Sequence, residues 1–342
     1  MKRQQFFAIA MLIVCALSFI YLNNHRAISQ IEQEADMATL NQLNLGRIYN
    51  ITRDLSSFRT RLTGTLECNL AASYIRSYLE ETLNVTDIEQ ELWIYNGTFS
   101  SNIVARVNGT NLKDEFVIIS AHYDSISMEG NATGANDNAV AVAVCMEVIG
   151  LIQNSGALNR TVLFLALAGE EQAFIGSQAW LNAHKSDVSK IIGVLNLDMI
   201  GVGNELLIIQ NEQSTWLADA IIQASAPVNV TVGKSNSPYP ENTRFDHETF
   251  WLKQVPAVSI FEGGAIYSYY HTPEDTIDKI SFSLVEKCAS VVLLGVLSLG
   301  TVKFQHNQVL FSIVIGVLIG LAVIFPFVVL RKVNQSLIIR PE

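Results

Sequence analysis

The strongest constraint on this fold is an alternation between about residue 35 and residue 303. Short apolar runs of strand length take turns with segments whose apolar residues recur at helical spacing. Such alternation folds as a three-layer α/β/α sandwich around a mixed, mostly parallel sheet. The runs also end alike. Phe116–Ser120 leads into Ala121-His122-Tyr123-Asp124-Ser125, Val162–Ala168 into Gly169-Glu170-Glu171, and Ile191–Leu195 into Asn196-Leu197-Asp198. A run near Ala257–Phe261 precedes Tyr270-His271-Thr272, and another acid, Asp137, sits in the turn Gly134–Ala139 before an apolar helix. Ligands of α/β proteins bind at the carboxyl ends of strands, which is where this chain collects its acids and histidines.

The pattern predicts helices over 40–51, 67–83, 139–152, 176–184, 215–224 and 282–299. It predicts strands over 88–95, 102–107, 116–120, 162–168, 191–195, 205–210 and 257–261, with Asn96-Gly97 as a hairpin turn joining the first two. The helix at 282–299 carries Glu286 and Lys287 near its start and reads as core.

Two uncharged runs lie outside this region. Phe6–Leu22 follows Lys2 and Arg3, so residues 1–24 read as a signal peptide or a signal anchor; with no convincing small-x-small site right after Leu22, the uncleaved anchor is the favoured reading. Val309–Leu330 is long enough to cross a bilayer core of ~30 Å and is followed by Arg331 and Lys332. Positive residues favour the cytoplasmic side, which puts both termini there, including the tail 331–342, and the domain 35–303 on the other face. Seven sequons, at Asn50, Asn84, Asn96, Asn108, Asn131, Asn159 and Asn229, fall between the two runs and suit an extracytoplasmic glycoprotein. The expected partners are therefore a lipid bilayer, through two transmembrane helices, and a substrate. A formal charge of -10 argues against nucleic acid. Cys145 reads as a buried thiol, and a Cys68–Cys288 bridge stays open.

Imidazole and hard oxygen donors together suit Zn²⁺, and the acids Asp124, Asp137, Glu170, Glu171 and Asp198 would repel one another without cations. A pair of zinc ions needs a bridging carboxylate, further ligands for each ion, and a separate base. In this inventory Asp137 bridges, His122 and Asp198 complete one ion, and Glu171 and His271 complete the other. Asp124, two residues after His122 on an extended segment, accepts the other ring N–H of His122. Glu170, next to a ligand but pointing elsewhere, is left as general base.

These segments resemble the zinc aminopeptidase family that includes secreted bacterial leucyl aminopeptidases, glutamate carboxypeptidases and glutaminyl cyclases. The text that carries the resemblance is SAHYDS, GANDNAVAVAV, ALAGEEQAFIGS, NLDMIG, FDHETF and YYHTPEDTID, preceded by FRTRLTGTLECNLAASYIRSYLEE. It is collinear from Asn41 to Thr301. The resemblance implies the same residue roles, two Zn²⁺ per chain, an eight-stranded mixed sheet and a cis peptide after Asp137. It also places Asp246 and His247 near the substrate rim; the other reading of Asp246 is a cap on the following helix. Tyr239 is a candidate donor to the oxyanion.

The function expected is a membrane-anchored extracytoplasmic exopeptidase that removes N-terminal amino acids from peptides by attack of a hydroxide bridging the metals. Three alternatives differ in kind. A glutaminyl cyclase would hold one zinc and generally has a longer insertion before the Gly-Ser that here follows Glu171 closely, at Gly176-Ser177. A carboxypeptidase needs cations for the substrate carboxylate, and Arg244 is the one nearby candidate. An inactive receptor-like ectodomain would have lost ligands that this chain keeps.

Overall fold

The computed structural model describes residues 32–156, 158–228, 230–236 and 245–301. The two terminal apolar runs and the tail 331–342 lie outside these residues, as do Asn229, Tyr239 and Arg244.

Helix α1 (Leu45–Ser56) begins five residues later than the apolar spacing suggests, because Asn44 caps it: its Oδ1 accepts from the Arg47 N–H at 2.9 Å. Helix α2 (Leu66–Glu81) is capped the same way by Thr65, whose hydroxyl accepts from Cys68 N. Strands β1 (Asp87–Tyr95) and β2 (Thr98–Val107) form the hairpin expected at Asn96-Gly97. Both turn residues have positive φ, 47° and 82°, as a two-residue turn of this hand requires.

Then come β3 (Leu112–His122), α3 (Val140–Ser155), β4 (Arg160–Leu167), α4 (Ile175–Ala183), β5 (Ile191–Leu197) and β6 (Glu205–Ile209). The chain continues through α5 (Thr215–Ser225), β7 (Val232–Ser235), α6 (His247–Trp251), β8 (Ala257–Gly263) and α7 (Phe282–Gly300). The eight strands form one sheet in the order β1-β2-β4-β3-β5-β8-β6-β7. Four of its seven pairings are parallel, including the central run β4-β3-β5-β8. Strand β7 was not legible beforehand: it has four residues, none fully buried, and pairs only with β6 at the sheet edge.

Helices cover both faces. On one, Val194 of β5 packs with Trp180 and Leu181 of α4 and Phe250 of α6. On the other, Gly193 lies against Leu217 of α5, and Gly295 of α7 against Leu195 and Ile221. Alternate residues of one strand thus face opposite helix layers, and all of β4 is buried. Each fully buried Leu, Val or Ile in these layers contributes on the order of 1.5–3 kcal/mol. The segment 135–155, which includes α3, and helix α7 are long and apolar enough to cross a membrane, but both are largely buried inside the domain.

Cys68, Cys145 and Cys288 are all free and buried, so the Cys68–Cys288 bridge does not form. Cys68 rides on α2, which packs on β2, while Cys288 on α7 faces α3, the helix of Cys145.

Candidate active site

The central strands deliver their polar residues to one edge of the sheet. His122 is the last residue of β3, Glu170 and Glu171 follow β4 after the turn at Ala168-Gly169, and Asp198 follows β5 directly. Gly169 has φ +79°, which a residue with a Cβ rarely adopts, and it lies close under Trp93, 3.0 Å from where a Cβ would sit. His271 arrives from the loop after β8 with φ +55°, a strained backbone for a residue with a Cβ. Asp137 enters from the wide turn Ala135–Ala139 ahead of α3, and its peptide to Asn138 is cis, as the resemblance implies.

Asp137 is central to the geometry. Its Oδ1 lies 3.2 Å from His122 Nε2, which is itself 3.4 Å from Asp198 Oδ2. Its Oδ2 lies 3.2 Å from His271 Nε2, which is 3.0 Å from Glu171 Oε2. One carboxylate therefore turns one oxygen to each of two imidazole–carboxylate pairs. Ligands ~2.0–2.1 Å from a tetrahedral Zn²⁺ lie roughly 3.3 Å apart, so the imidazole–carboxylate distances of each trio have the spacing of a zinc shell. Two orphaned atoms fit the same reading: His271 Nε2 and Glu171 Oε1 are buried and have no hydrogen-bond partner. Glu170 stands outside both trios, although its carboxylate lies within 4.8 Å of ligand atoms of His122 and Glu171.

Backbone and side-chain bonds fix this arrangement. Asp275 accepts the N–H of Asn136 on Oδ1 and that of Asp137 on Oδ2, while Tyr267 donates to Oδ1. The Asn138 amide donates to Leu197 O and accepts from Met199 N, tying the Asp137 turn to the segment of Asp198. Asn136 donates to Glu262 at the end of β8.

Without a cation, these charges are held in check only by protons. Burial pushes Glu170 well above the usual carboxylate range, and Asp198, Glu171 and Asp246 add to the shift. Burial and Asp137 push Glu171 to about 7, and burial takes Asp198 to about 6 against the pull of His122. Burial works against the charge of both imidazoles, yet Asp137 and Glu171 carry His271 up to about 10, and Asp198 and Glu170 raise His122. Burial likewise opposes ionisation of Asp137, but the two imidazoles beside it hold it low. A divalent cation would take the place of those protons.

All seven residues expected at the centre, His122, Asp124, Asp137, Glu170, Glu171, Asp198 and His271, thus meet at one edge. Three expectations need correction. The Asp124 carboxylate is not the partner of the His122 ring: Nδ1 lies 3.1 Å from the Asp124 carbonyl oxygen and 3.6 Å from Oδ1. That carboxylate instead accepts from Thr63 Oγ1 and Glu170 N, because β3 has ended and the chain turns toward both. Asp246 does not cap α6. It is buried and accepts from Ser177 Oγ at 2.6 Å, which draws it under α4, and burial raises its carboxyl to about 7. His247 is fully buried and edge-on to Trp251, neither nitrogen has a hydrogen-bond partner among the described residues, and burial depresses it to about 3, so it does not lie exposed at a rim.

The sequence reading missed Arg61, Thr63, Asp275 and Glu262. A lone acid inside the apolar strand β8 signals Glu262, and an acid four residues after His271 signals Asp275.

Known proteins are similar to this chain over much of its length. The human endoplasmic reticulum metallopeptidase 1 is 27% identical over 235 residues, 64% of this chain but 25% of that protein, so the chain spans about a quarter of this relative's length. Leucine aminopeptidase 1 of Arthroderma otae is 27% identical over 281 residues, 76% of this chain and 74% of that protein. The LapA aminopeptidase of Legionella pneumophila shares the fold, with a TM-score of 0.69 at 20% identity over 79% of this chain and 75% of that one. The model of peptidase family M28 matches residues 102–296, more than half of the sequence. The chain belongs to peptidase family M28.

Proposed function

We propose that this chain is a zinc-dependent aminopeptidase, with His122, Asp137 and Asp198 holding one ion and Asp137, Glu171 and His271 the other. The observation that carries this reading is the Asp137 carboxylate, whose two oxygens address separate imidazole–carboxylate pairs. Zinc bound there supplies Lewis acidity toward a carbonyl and makes water a nucleophile near neutral pH. Glu170 takes the proton of the attacking water on its carboxylate and hands it to the leaving amine, a task suited to its raised proton affinity. Asp124 aids this twice: its carboxylate holds the Glu170 N–H, and its carbonyl fixes the His122 ring.

An N-terminal substrate suits the charge. Among the described residues no Lys or Arg pairs with Asp137, Glu170, Glu171 or Asp198, which leaves no cation of the chain beside these acids for a substrate carboxylate. The terminal apolar runs anchor the domain on the extracytoplasmic face, with both termini cytoplasmic and glycosylation at exposed sequons. A relative is named for the endoplasmic reticulum, a compartment that suits this reading.

The deciding experiment is a panel of amino-acyl and peptide substrates with and without a chelator. Release of free N-terminal amino acids, lost on chelation and restored by Zn²⁺, is expected. Cyclisation of N-terminal glutamine without hydrolysis, or release from the carboxyl end, would replace this reading.

A further inference from the structure

Arg61 is among the largest fully buried side chains of the molecule, and no role so far accounts for it. A buried guanidinium normally meets a carboxylate. Here, among the described residues, none lies within ion-pair distance. Instead its donors go to backbone carbonyls: Nε to Tyr123 at 2.6 Å, Nη1 to Leu55 at 3.0 Å and Thr133 at 2.5 Å, and Nη2 to Gly134 at 2.8 Å. Tyr123 lies between His122 and Asp124, while Thr133 and Gly134 open the turn of Asp137. One rigid fork thus joins the two segments that carry the shared carboxylate and its first imidazole.

The neighbouring backbone continues the contact. Arg61 N donates to Ser125 Oγ, which donates to Ala132 O, and Ala132 N donates to Arg59 O. Two residues on, Thr63 Oγ1 donates to Asp124 Oδ2 at 3.0 Å, leaving Oδ1 for the Glu170 N–H. The fit at Gly134 is tight. Its φ is +53°, and a Cβ there would meet Asp137 O at 2.3 Å and Arg61 Nη2 at 2.8 Å.

We propose that the segment Arg61–Thr63 is a positioning strap: Arg61 sets the spacing of His122 and Asp137, and Thr63 sets Asp124 and through it Glu170. The strap rests on the two-ion reading of the site, and its donors act by geometry, so the fork of arginine cannot be replaced by the point charge of lysine.

The test compares zinc affinity of full-length wild type, Arg61→Lys and Thr63→Val by competition with a chelator, alongside melting of zinc-free and zinc-loaded protein. Arg61→Lys is expected to lose zinc affinity by about 10- to 100-fold, and its melting gain on adding zinc is expected to shrink. Thr63→Val keeps every backbone bond of the strap but leaves Asp124 Oδ2 without its donor, so it is expected to melt somewhat lower with and without metal and to bind zinc several-fold more weakly. A purely structural Arg61 would lower both melting points equally and leave zinc affinity within twofold of wild type, which overturns the proposal. If Arg61→Lys does not fold, Thr63→Val decides: unchanged affinity overturns the strap. Failure of the underlying reading is distinct, because wild type itself would then bind fewer than two zinc ions.

Discussion

Asp137 and Glu147 lie on one continuous segment, the turn before α3 and the helix itself, and both are buried, but their surroundings differ in kind. Glu147 has the company expected of a structural acid. Arg47 Nε lies 2.6 Å from its Oε2, and the Asn44 N–H donates to Oε1, so the pair locks α1 onto α3. Arg160 meets Glu115 at 2.6 Å in the same one-to-one fashion. Around Asp137 the acids Glu170, Glu171 and Asp198 gather with two imidazoles, and the nearby guanidinium, Arg61, directs its donors to carbonyls. At Glu147 the fold provides the cation from the chain. At the sheet edge it leaves the charge for a cation from outside.

Breaking the site should cost activity far more than stability. Glu170→Gln keeps shape and every ligand, so turnover is expected to fall by ~10²–10⁴-fold while zinc per chain, measured by mass spectrometry, is unchanged. Lost zinc in this variant would make Glu170 a ligand instead of the base.

The second contrast concerns pH. In the metal-free protein Glu170, Glu171, Asp198, Asp246 and Glu262 all have proton affinities raised in the folded state, with Glu262 pushed by burial to about 8. His271 and His122 are raised as well. His247, depressed to about 3, works the other way below its ordinary value, but it is outnumbered: between the unfolded carboxylate range and about pH 8 the folded chain binds more protons than the unfolded one, so stability falls as pH rises. Melting of chelated protein is expected to drop from pH 5 to pH 8, while the gain on adding zinc grows over that window, because zinc takes the deprotonated ligands. A chelated protein that melts higher at pH 8 than at pH 5 would reverse the sign and break the account of the charge.

How much of this was legible in the sequence follows from where each partner lies. His122, Asp137, Glu171, Asp198 and His271 stand at strand ends or in marked turns, and the alternation that builds the sheet also aligns them. Asp124 was half legible. Its spacing from His122 was informative, but an extended pattern cannot tell that the carbonyl, not the carboxylate, faces the ring. Arg61 was illegible because its partners are carbonyls, which carry no side-chain signature, up to seventy-three positions away at Gly134. Asp246 and His247 read as rim residues because nothing local reveals that Ser177 of α4 holds Asp246 beneath the surface.

Glu147→Ala sharpens the comparison from the structural side. It frees a partly exposed Arg47 and leaves the Asn44 N–H unpaired, so a loss of about 1–3 kcal/mol in denaturant unfolding is expected, with zinc content and turnover unchanged. The smallest effect belongs to the surface pair Lys190–Asp187, at 2.8 Å. Lys190→Ala is expected to leave melting and activity as in wild type. A variant there that lost zinc would show that the site is not insulated from ordinary surface charge.

The most direct test is anomalous diffraction at the zinc edge from crystals of the loaded protein. Two peaks are expected, one on each side of Asp137, each ~2.0–2.2 Å from one of its oxygens, with His122 and Asp198 around the first and Glu171 and His271 around the second. A single peak, or two peaks that do not share Asp137, would contradict the bridging carboxylate.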